Sequence, residues 1–364
     1  MYLSIRDITF ARGRFALIGA VVALITLLLV LLTGLTQGLG HQNTSALERL
    51  DAEQFIFSAP VDGSGQPSFT ESQITDNQLR GWQGAVGDAD VERIGVTQTR
   101  AQAGPDTGAT SVAVLALEAG TALAPDLHAL DGSAHPNPGE AVLSQSVAED
   151  LDAAVGDTVE LSTTELIITG ITQDEYYSHL PVVWAAMADY PDIAHLEQDV
   201  EATALALTAG APAAEAGAET GTVTIDTRGA FAALPAYQSE RGSLLMMQGF
   251  LYGISALVVV SFLTVWTIQR TRDIAVLRAL GASRPYLVRD SLGQAAVVLL
   301  AGVLAGGAVG AGIGAVARTA VPFTLSPATA LLPAAGVFAL GVAGSLLAVR
   351  RVSSIDPLLA LGGN

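Results

Sequence analysis

The sequence predicts an α-helical membrane protein: four transmembrane helices arranged one plus three, with an α/β extracytoplasmic domain between the first and second. Three observations carry that reading. Of 364 residues, 50% are hydrophobic and 14% charged, at a mean hydropathy of +0.46, whereas ordinary soluble domains carry roughly 25% charge. The apolar residues gather into four charge-free runs, at 15–39, 244–268, 292–317 and 331–349. Each meets the roughly 17–25 residues needed to cross a hydrocarbon core of about 30 Å as a helix. Charge, finally, is sorted by segment: residues 40–243 hold 31 acids against six arginines, a net −25 within a total of −18.

Residues 1–14 place Met1, Ile5, Ile8 and then Phe15 at helical spacing, with Arg6, Asp7 and Arg12 on other faces. This fits a short amphipathic cytoplasmic segment lying on the inner leaflet, or equally a terminus whose charges merely stop transfer. Residues 15–39 form the first span. Their apolar core exceeds the 7–15 residues of a secretory h-region, and Gly34-Leu35-Thr36-Gln37-Gly38 is no A-x-A cleavage site, so a retained anchor is expected over a cleaved signal. Residues 40–243 have the length of a domain and read as mixed α and β. Within them, Gln54–Ser58, 112–117 and 166–171 are strand candidates, and 76–86 is helix-like. Ser144 caps a short helix to Leu151, and Gly156-Asp157 turns into the next strand. The Ala/Gly-rich stretch 209–221 reads as a loop or linker, and Tyr176-Tyr177 as a loop.

The second span is 244–268, followed by a cytoplasmic segment at 269–290. There 270–280 extends the helix, Gly281 stops it, and Ser283 caps the next helix with Pro285 in its first turn. The third span, 291–317, repeats glycine every fourth residue at Gly302, Gly306, Gly310 and Gly314, a small-xxx-small ladder suited to close helix packing. A short external loop (318–330), the fourth span (331–349) and a cytoplasmic tail (350–364) complete the chain.

Orientation follows from arginine. Arg6, Arg12 and Arg14, then Arg270, Arg272, Arg278, Arg284 and Arg289, then Arg350 and Arg351 flank the spans on one side, accompanied by four acids. The positive-inside rule therefore puts both termini and the middle loop in the cytoplasm of a cell-membrane protein, and the acidic domain outside it. For Arg350 and Arg351, anchoring is reading enough.

All 17 basic residues are arginine, and cysteine is absent. Without lysine there is no GxxxxGK[ST] phosphate loop and no Schiff-base chemistry. Without cysteine there are no disulfides, thiolate metal sites or iron–sulfur clusters. Neither HExxH nor GxSxG occurs, and no intrinsic cofactor or metal of the protein itself is expected.

Residues 269–290 read Gln-Arg-Thr-Arg-Asp-Ile-Ala-Val-Leu-Arg-Ala-Leu-Gly-Ala-Ser-Arg-Pro-Tyr-Leu-Val-Arg-Asp. They closely resemble the coupling loop of ABC-transporter permeases of the MacB/FtsX type, R-x-R-[ED]-I-A-V-L-R-A-[IL]-G-A-S. Ala141-Val142-Leu143-Ser144-Gln145-Ser146-Val147-Ala148, Val155-Gly156-Asp157-Thr158-Val159 and the terminal Ser354-Ile355-Asp356-Pro357-Leu358-Leu359-Ala360-Leu361 are similar to further stretches of that family. The resemblance implies a non-catalytic permease, a homodimer in the lipid bilayer bound to two copies of a separate cytosolic ABC ATPase. Arg272, Asp273, Val276, Leu277, Gly281 and Ala282 would then form or shape the ATPase contact. No nucleic-acid partner is implied. In size and span number the chain looks most like the HrtB-type haem-exporter permeases, which implies haem or a similar amphipathic molecule as transported ligand.

Haem has an apolar face, an iron that takes axial ligands, and two anionic propionates. Groups suited to it at the outer ends of spans one and two are His41, Glu48 and Arg49, and then Tyr237, Glu240, Arg241, Met246 and Met247. Glu240 and Met247 are seven residues apart and share a helix face. The plainer reading of such groups is a solvated ion pair and apolar packing. His128, His135, His179 and His195 lack metal-ligand spacing and read as surface or turn histidines, and Trp82 and Trp184 as core. The competing function is an FtsX-like transmembrane force transmitter, in which the outer domain acts on a partner and nothing crosses. Export of peptides or lipophilic drugs is a further alternative.

Overall fold

Each apolar run is helical in the computed structural model, which describes residues 12–60, 66–87, 91–104, 108–121, 123, 127–208, 213–269, 276, 281 and 283–353. Helix α1 (Arg12–Glu48) carries the first run. The α/β domain follows as β1 (Gln54–Ser58), β2 (Ile74–Thr75), α2 (Asp76–Val86), β3 (Val91–Gln102), β4 (Ala109–Leu117), β5 (Ala129–Gly132) and β6 (Glu140–Ser144). It continues as α3 (Gln145–Leu151), β7 (Thr158–Leu161), β8 (Thr164–Thr172), β9 (Tyr176–Tyr177), β10 (Leu180–Ala186) and α4 (Tyr190–Ala194). It closes with β11 (Val200–Ala202), β12 (Ala204–Leu207), α5 (Ala213–Thr220), β13 (Thr222–Asp226) and α6 (Thr227–Ala232). Three long helices complete the chain: α7 (Pro235–Gln269), α8 (Arg284–Ala317) and α9 (Pro327–Ser353). Among the described residues, Phe15–Glu48, Pro235–Phe262, Val288–Ala317 and Pro327–Leu346 are long and apolar enough to cross a membrane. The fold is thus four candidate membrane helices, one plus three, with an α/β domain between the first and second.

The chain divides into two compact units, residues 39–241 and residues 1–38 with 242–364. In the α/β unit the main sheet runs β13-β1-β12-β3-β4-β10-β6-β8-β5, with β7 bridging β3 and β8 and β9 pairing with β10. The β4/β10 and β6/β8 pairs are parallel and the others antiparallel. The central strands are apolar because both faces are covered: Val112 to Ala116 and Val182 to Ala186 are all buried. One face packs Phe55, Phe57, Leu115 and Trp184 with Ala46 and Leu47 from the end of α1 and with Leu50 just beyond it. Helix α2 starts at a Thr75/Gln78 capping box and buries Leu79 and Trp82. Trp82 donates its indole N–H to Thr222 Oγ1 at 2.9 Å.

Two local expectations are corrected. The stretch expected as a loop at 209–221 contains α5, because Ala and Glu are strong helix formers and the Thr220 hydroxyl closes the last turn on Ala216 O at 2.7 Å. Tyr176-Tyr177, also expected as loop, pairs with Leu180 and Pro181 as a two-residue strand, a long-range pairing that has no periodicity to announce it.

In the membrane unit the glycine ladder meets α1 of the same chain. A Cβ at Gly302 would lie 2.8 Å from Gly19 O, and one at Gly310 3.1 Å from Val30. One at Gly306 would overlap the Ala23 carbonyl, and one at Gly314 would stand 2.5 Å from the Phe323 ring. The loop between α8 and α9 is fastened to α1 as well. Gly34 O accepts Thr324 N–H at 3.1 Å, and a side chain at Gly34 or Gly38 would overlap Phe323 or Pro322. Gln248 of α7 donates to Thr36 Oγ1 at 3.1 Å. The α7 face bearing Met246, Phe250 and Leu257 stays open, each at least 64% exposed.

Candidate ligand site

The last turns of α1 are polar on one side, with Asn43, Thr44 and Ser45 fully buried. Asn43 and Ser45 meet the β9–β10 corner, whereas the Thr44 hydroxyl bonds within its own helix. Tyr176 N–H donates to Ser45 Oγ at 2.7 Å, Ser178 N–H to Asn43 O at 3.1 Å and His179 N–H to Gln42 O at 2.8 Å. To follow the helix this way the corner takes Ser178 and His179 through the left-handed region, at φ 51° and 69°. Such a conformation costs roughly 1–3 kcal/mol at a non-glycine residue, so the docking contacts must outweigh it.

The result is to aim His179 at Glu240. Its Nε2 lies 2.9 Å from Glu240 Oε1 and 3.1 Å from Oε2. A carboxylate only accepts, so this nitrogen carries the proton. Asn43 Nδ2 donates to the same carboxylate at 3.1 Å, and to Leu39 O at 3.0 Å. Asn43 Oδ1 is buried with no hydrogen-bond partner among the described residues. The opposite amide orientation would set oxygen against carboxylate, so Glu240 dictates which way the amide points despite an unsatisfied acceptor worth about 1–3 kcal/mol. Glu240 and His179 remain 38% and 32% exposed.

The other candidate residues are placed as follows. Glu48 is exposed and accepts the Thr44 hydroxyl at 2.6 Å, a contact within its own helix. Arg49 is held by Glu175, Nε to Oε1 at 2.5 Å, and Glu175 is almost fully buried. That leaves Arg49 neutralised, whereas Arg241 is exposed and stacks over the Tyr237 ring at 5.7 Å. His41 is exposed. In the membrane unit, Met246 and Met247 are exposed on α7. Val276 is exposed, and Gly281 has φ 96°. Arg272, Asp273, Leu277 and Ala282 lie outside the described residues.

Nearby tyrosines make poor iron ligands, because ligation needs the phenolate. Burial, then the Asp174 charge, raises the Tyr176 hydroxyl above its ordinary value, and burial does the same to Tyr177 and Tyr190. Two recesses in the α/β unit suit haem no better. One of 190 Å³, beside Leu117, His135 and Trp184, falls below the roughly 300–1,000 Å³ of small-molecule sites. Another of 500 Å³ is walled by Glu92 and Glu118, and its Arg93 is taken by Glu118 and Glu201, which disfavours an anionic ligand. No group of three or more His, Asp or Glu capable of holding a metal occurs among the described residues.

His179, read from the sequence as a surface or turn histidine, has a further contact that the sequence did not show. It does sit at a turn, yet its ring is committed to Glu240, 61 residues away. Spacing along the chain carries no trace of that contact.

Two family models match the chain: one described as MacB-like periplasmic core domain over residues 4–223 and one as FtsX-like permease C-terminal over residues 245–357. A hemin transport system permease protein HrtB from Staphylococcus haemolyticus is 26% identical over 100% of this chain and 99% of its own length. The macrolide export ATP-binding/permease protein MacB of Hyphomonas neptunium is 30% identical, over 39% of this chain and 23% of that protein. Among solved structures, the periplasmic region of MacB from Actinobacillus actinomycetemcomitans aligns with a TM-score of 0.36 at 9% identity, covering 50% of this chain and 92% of that one.

Proposed function

The chain belongs to the family of ABC-transporter permeases that join a MacB-like periplasmic core domain to an FtsX-like C-terminal region, and from that premise we propose that it is the permease subunit of an efflux pump for haem or a similarly flat amphipathic molecule. The observation that carries the cargo reading is Glu240. It is a partly open carboxylate at the start of a membrane-crossing helix, with the exposed Arg241 beside it in sequence. Carboxylate ligates ferric iron, and the guanidinium suits a propionate. The full-length similarity to a hemin transport permease points the same way. An acidic domain of net −25 disfavours approach of propionates from water, so cargo enters laterally from the outer leaflet.

Energy comes from elsewhere. The family implies an ATP-binding partner, and this chain has no lysine with which to build a phosphate loop. In the proposed assembly two permease chains meet two ATPase subunits at their cytoplasmic segments. ATP binding draws those segments together and narrows the cargo cavity. Both termini are cytoplasmic, following the arginine distribution.

Titrating hemin into the purified full chain tests the cargo. The parent is expected to shift the visible absorbance of hemin. Glu240→Ala and Glu48→Ala are each expected to weaken binding by about tenfold or more while leaving assembly with the ATPase intact. Parent-like binding in both variants defeats the site assignment. If the parent itself binds no hemin, the force-transmitting reading takes first place, with the −25 domain engaging a basic extracytoplasmic partner.

A further inference from the structure

We infer that His179 and Asn43 are positioning residues for Glu240, a two-donor clamp that fixes one rotamer of its carboxylate. The inference rests on the reading of Glu240 as a cargo-site group, and adds to it which residues make that group competent. Three independent observations converge. The donors reach the carboxylate from different elements, His179 Nε2 at 2.9 Å from the β9–β10 corner and Asn43 Nδ2 at 3.1 Å from α1. The corner that delivers His179 is bent through two consecutive positive-φ residues and tied to α1 by two main-chain bonds. Asn43 is turned so that its amide nitrogen serves Glu240 while its buried oxygen has no partner among the described residues.

A chance ion pair at a helix end explains none of this. A solvated Glu–His contact has no need of a second donor, of an orphaned buried oxygen or of a strained corner. The clamp occupies one side of the carboxylate. A carboxylate offers about four lone-pair directions, and the partial exposure of Glu240 leaves the others reachable. An incoming iron or other cationic centre thus meets an oriented anion, as ligands held by outer-sphere hydrogen bonds do, where loss of the supporting donor typically lowers affinity 10–100-fold.

The test is hemin titration into the full-length chain in detergent, read as affinity and as the position of the main visible absorption band. Two substitutions of similar size separate hydrogen bonding from packing: His179→Gln keeps an N–H donor, and His179→Leu removes it. Expected are at least tenfold weaker binding and a displaced band for His179→Leu, with His179→Gln within about threefold of the parent and its band restored. Asn43→Asp, which sets a second carboxylate against the first, should weaken binding as much as His179→Leu. Melting curves confirm that each variant is folded. Should His179→Leu keep the parent's affinity and spectrum while Glu240→Ala loses them, the clamp is refuted and the cargo site stands. Equal loss in His179→Gln and His179→Leu would also refute it, since the donor would then not be what matters. If Glu240→Ala binds hemin like the parent, the underlying site reading fails instead.

Discussion

Gly306→Leu is expected to lower the melting temperature of the membrane unit by about 6–12 °C and to reduce yield sharply. The reason is the neighbour that a side chain would meet. A Cβ at Gly306 would overlap the backbone carbonyl of Ala23 in α1, and backbone cannot rotate aside as a flexible side chain can. Overpacking of this kind costs about 3 kcal/mol, the upper part of its usual range, and roughly 2–4 °C accompany each kcal/mol in a unit of this size. Membrane helices gain little from hydrophobic burial against one another, so close backbone packing is what holds them, and the loss has no ready compensation. Gly312→Leu is the control. It lies on the same helix with nothing within 4 Å of its Cβ position, and should melt like the parent or slightly higher, given glycine's poor helix propensity. Parent-like melting of Gly306→Leu would mean that α1 and α8 do not approach through this ladder.

Purified without a partner, the chain is expected to hydrolyse no ATP above background. Adding the ATP-binding partner should bring turnover. The first half follows from composition: with no lysine among 364 residues, the phosphate-contacting group of a P-loop cannot be supplied. The second half depends on the segment at 269–290, and Gly281 is the residue through which to test it. At φ 96°, any L side chain is opposed by its own backbone, most of all a β-branched one. Gly281→Val should therefore redirect the chain at this stop and at least halve partner co-purification and partner-stimulated ATP turnover, without altering hemin binding. ATP hydrolysis by the lone chain would overturn the division of labour; full turnover in Gly281→Val would remove this turn from the coupling contact.

Legibility differed sharply between the two halves of the molecule. A membrane span is announced by composition alone, because the hydrocarbon core excludes charge and demands satisfied backbone bonds within one helix. All four runs are therefore helices at the expected places. The glycine ladder was equally visible as a packing surface. Its partner was not, and the structure places it against α1 of the same chain, so the ladder by itself gives no reason for two chains to associate. In the α/β unit the strongly apolar strands were readable, as at Gln54–Ser58 and at 112–117 within the longer strand Ala109–Leu117. The two-residue strand at Tyr176 and the helix at Ala213–Thr220 were not, since one is made by long-range pairing and the other sits in an Ala/Gly-rich stretch that composition alone reads as linker.

The sequence by itself determined the topology class, the arginine asymmetry, the lack of a lysine for any phosphate loop and the resemblance of 269–290 to a coupling loop, because each is a property of composition or of contiguous residues. It also brought Glu240 forward as a polar group beside a span. Only the tertiary structure decided which cations and donors surround it. Arg49 is consumed by a buried Glu175, whereas Arg241 is exposed and stacks on Tyr237, while His179 and Asn43, from two distant elements, close on Glu240. Hydrogen bonds act within about 3 Å, and what lies within 3 Å of a side chain is set by how strands and helices cross, a relation that no spacing along the chain encodes.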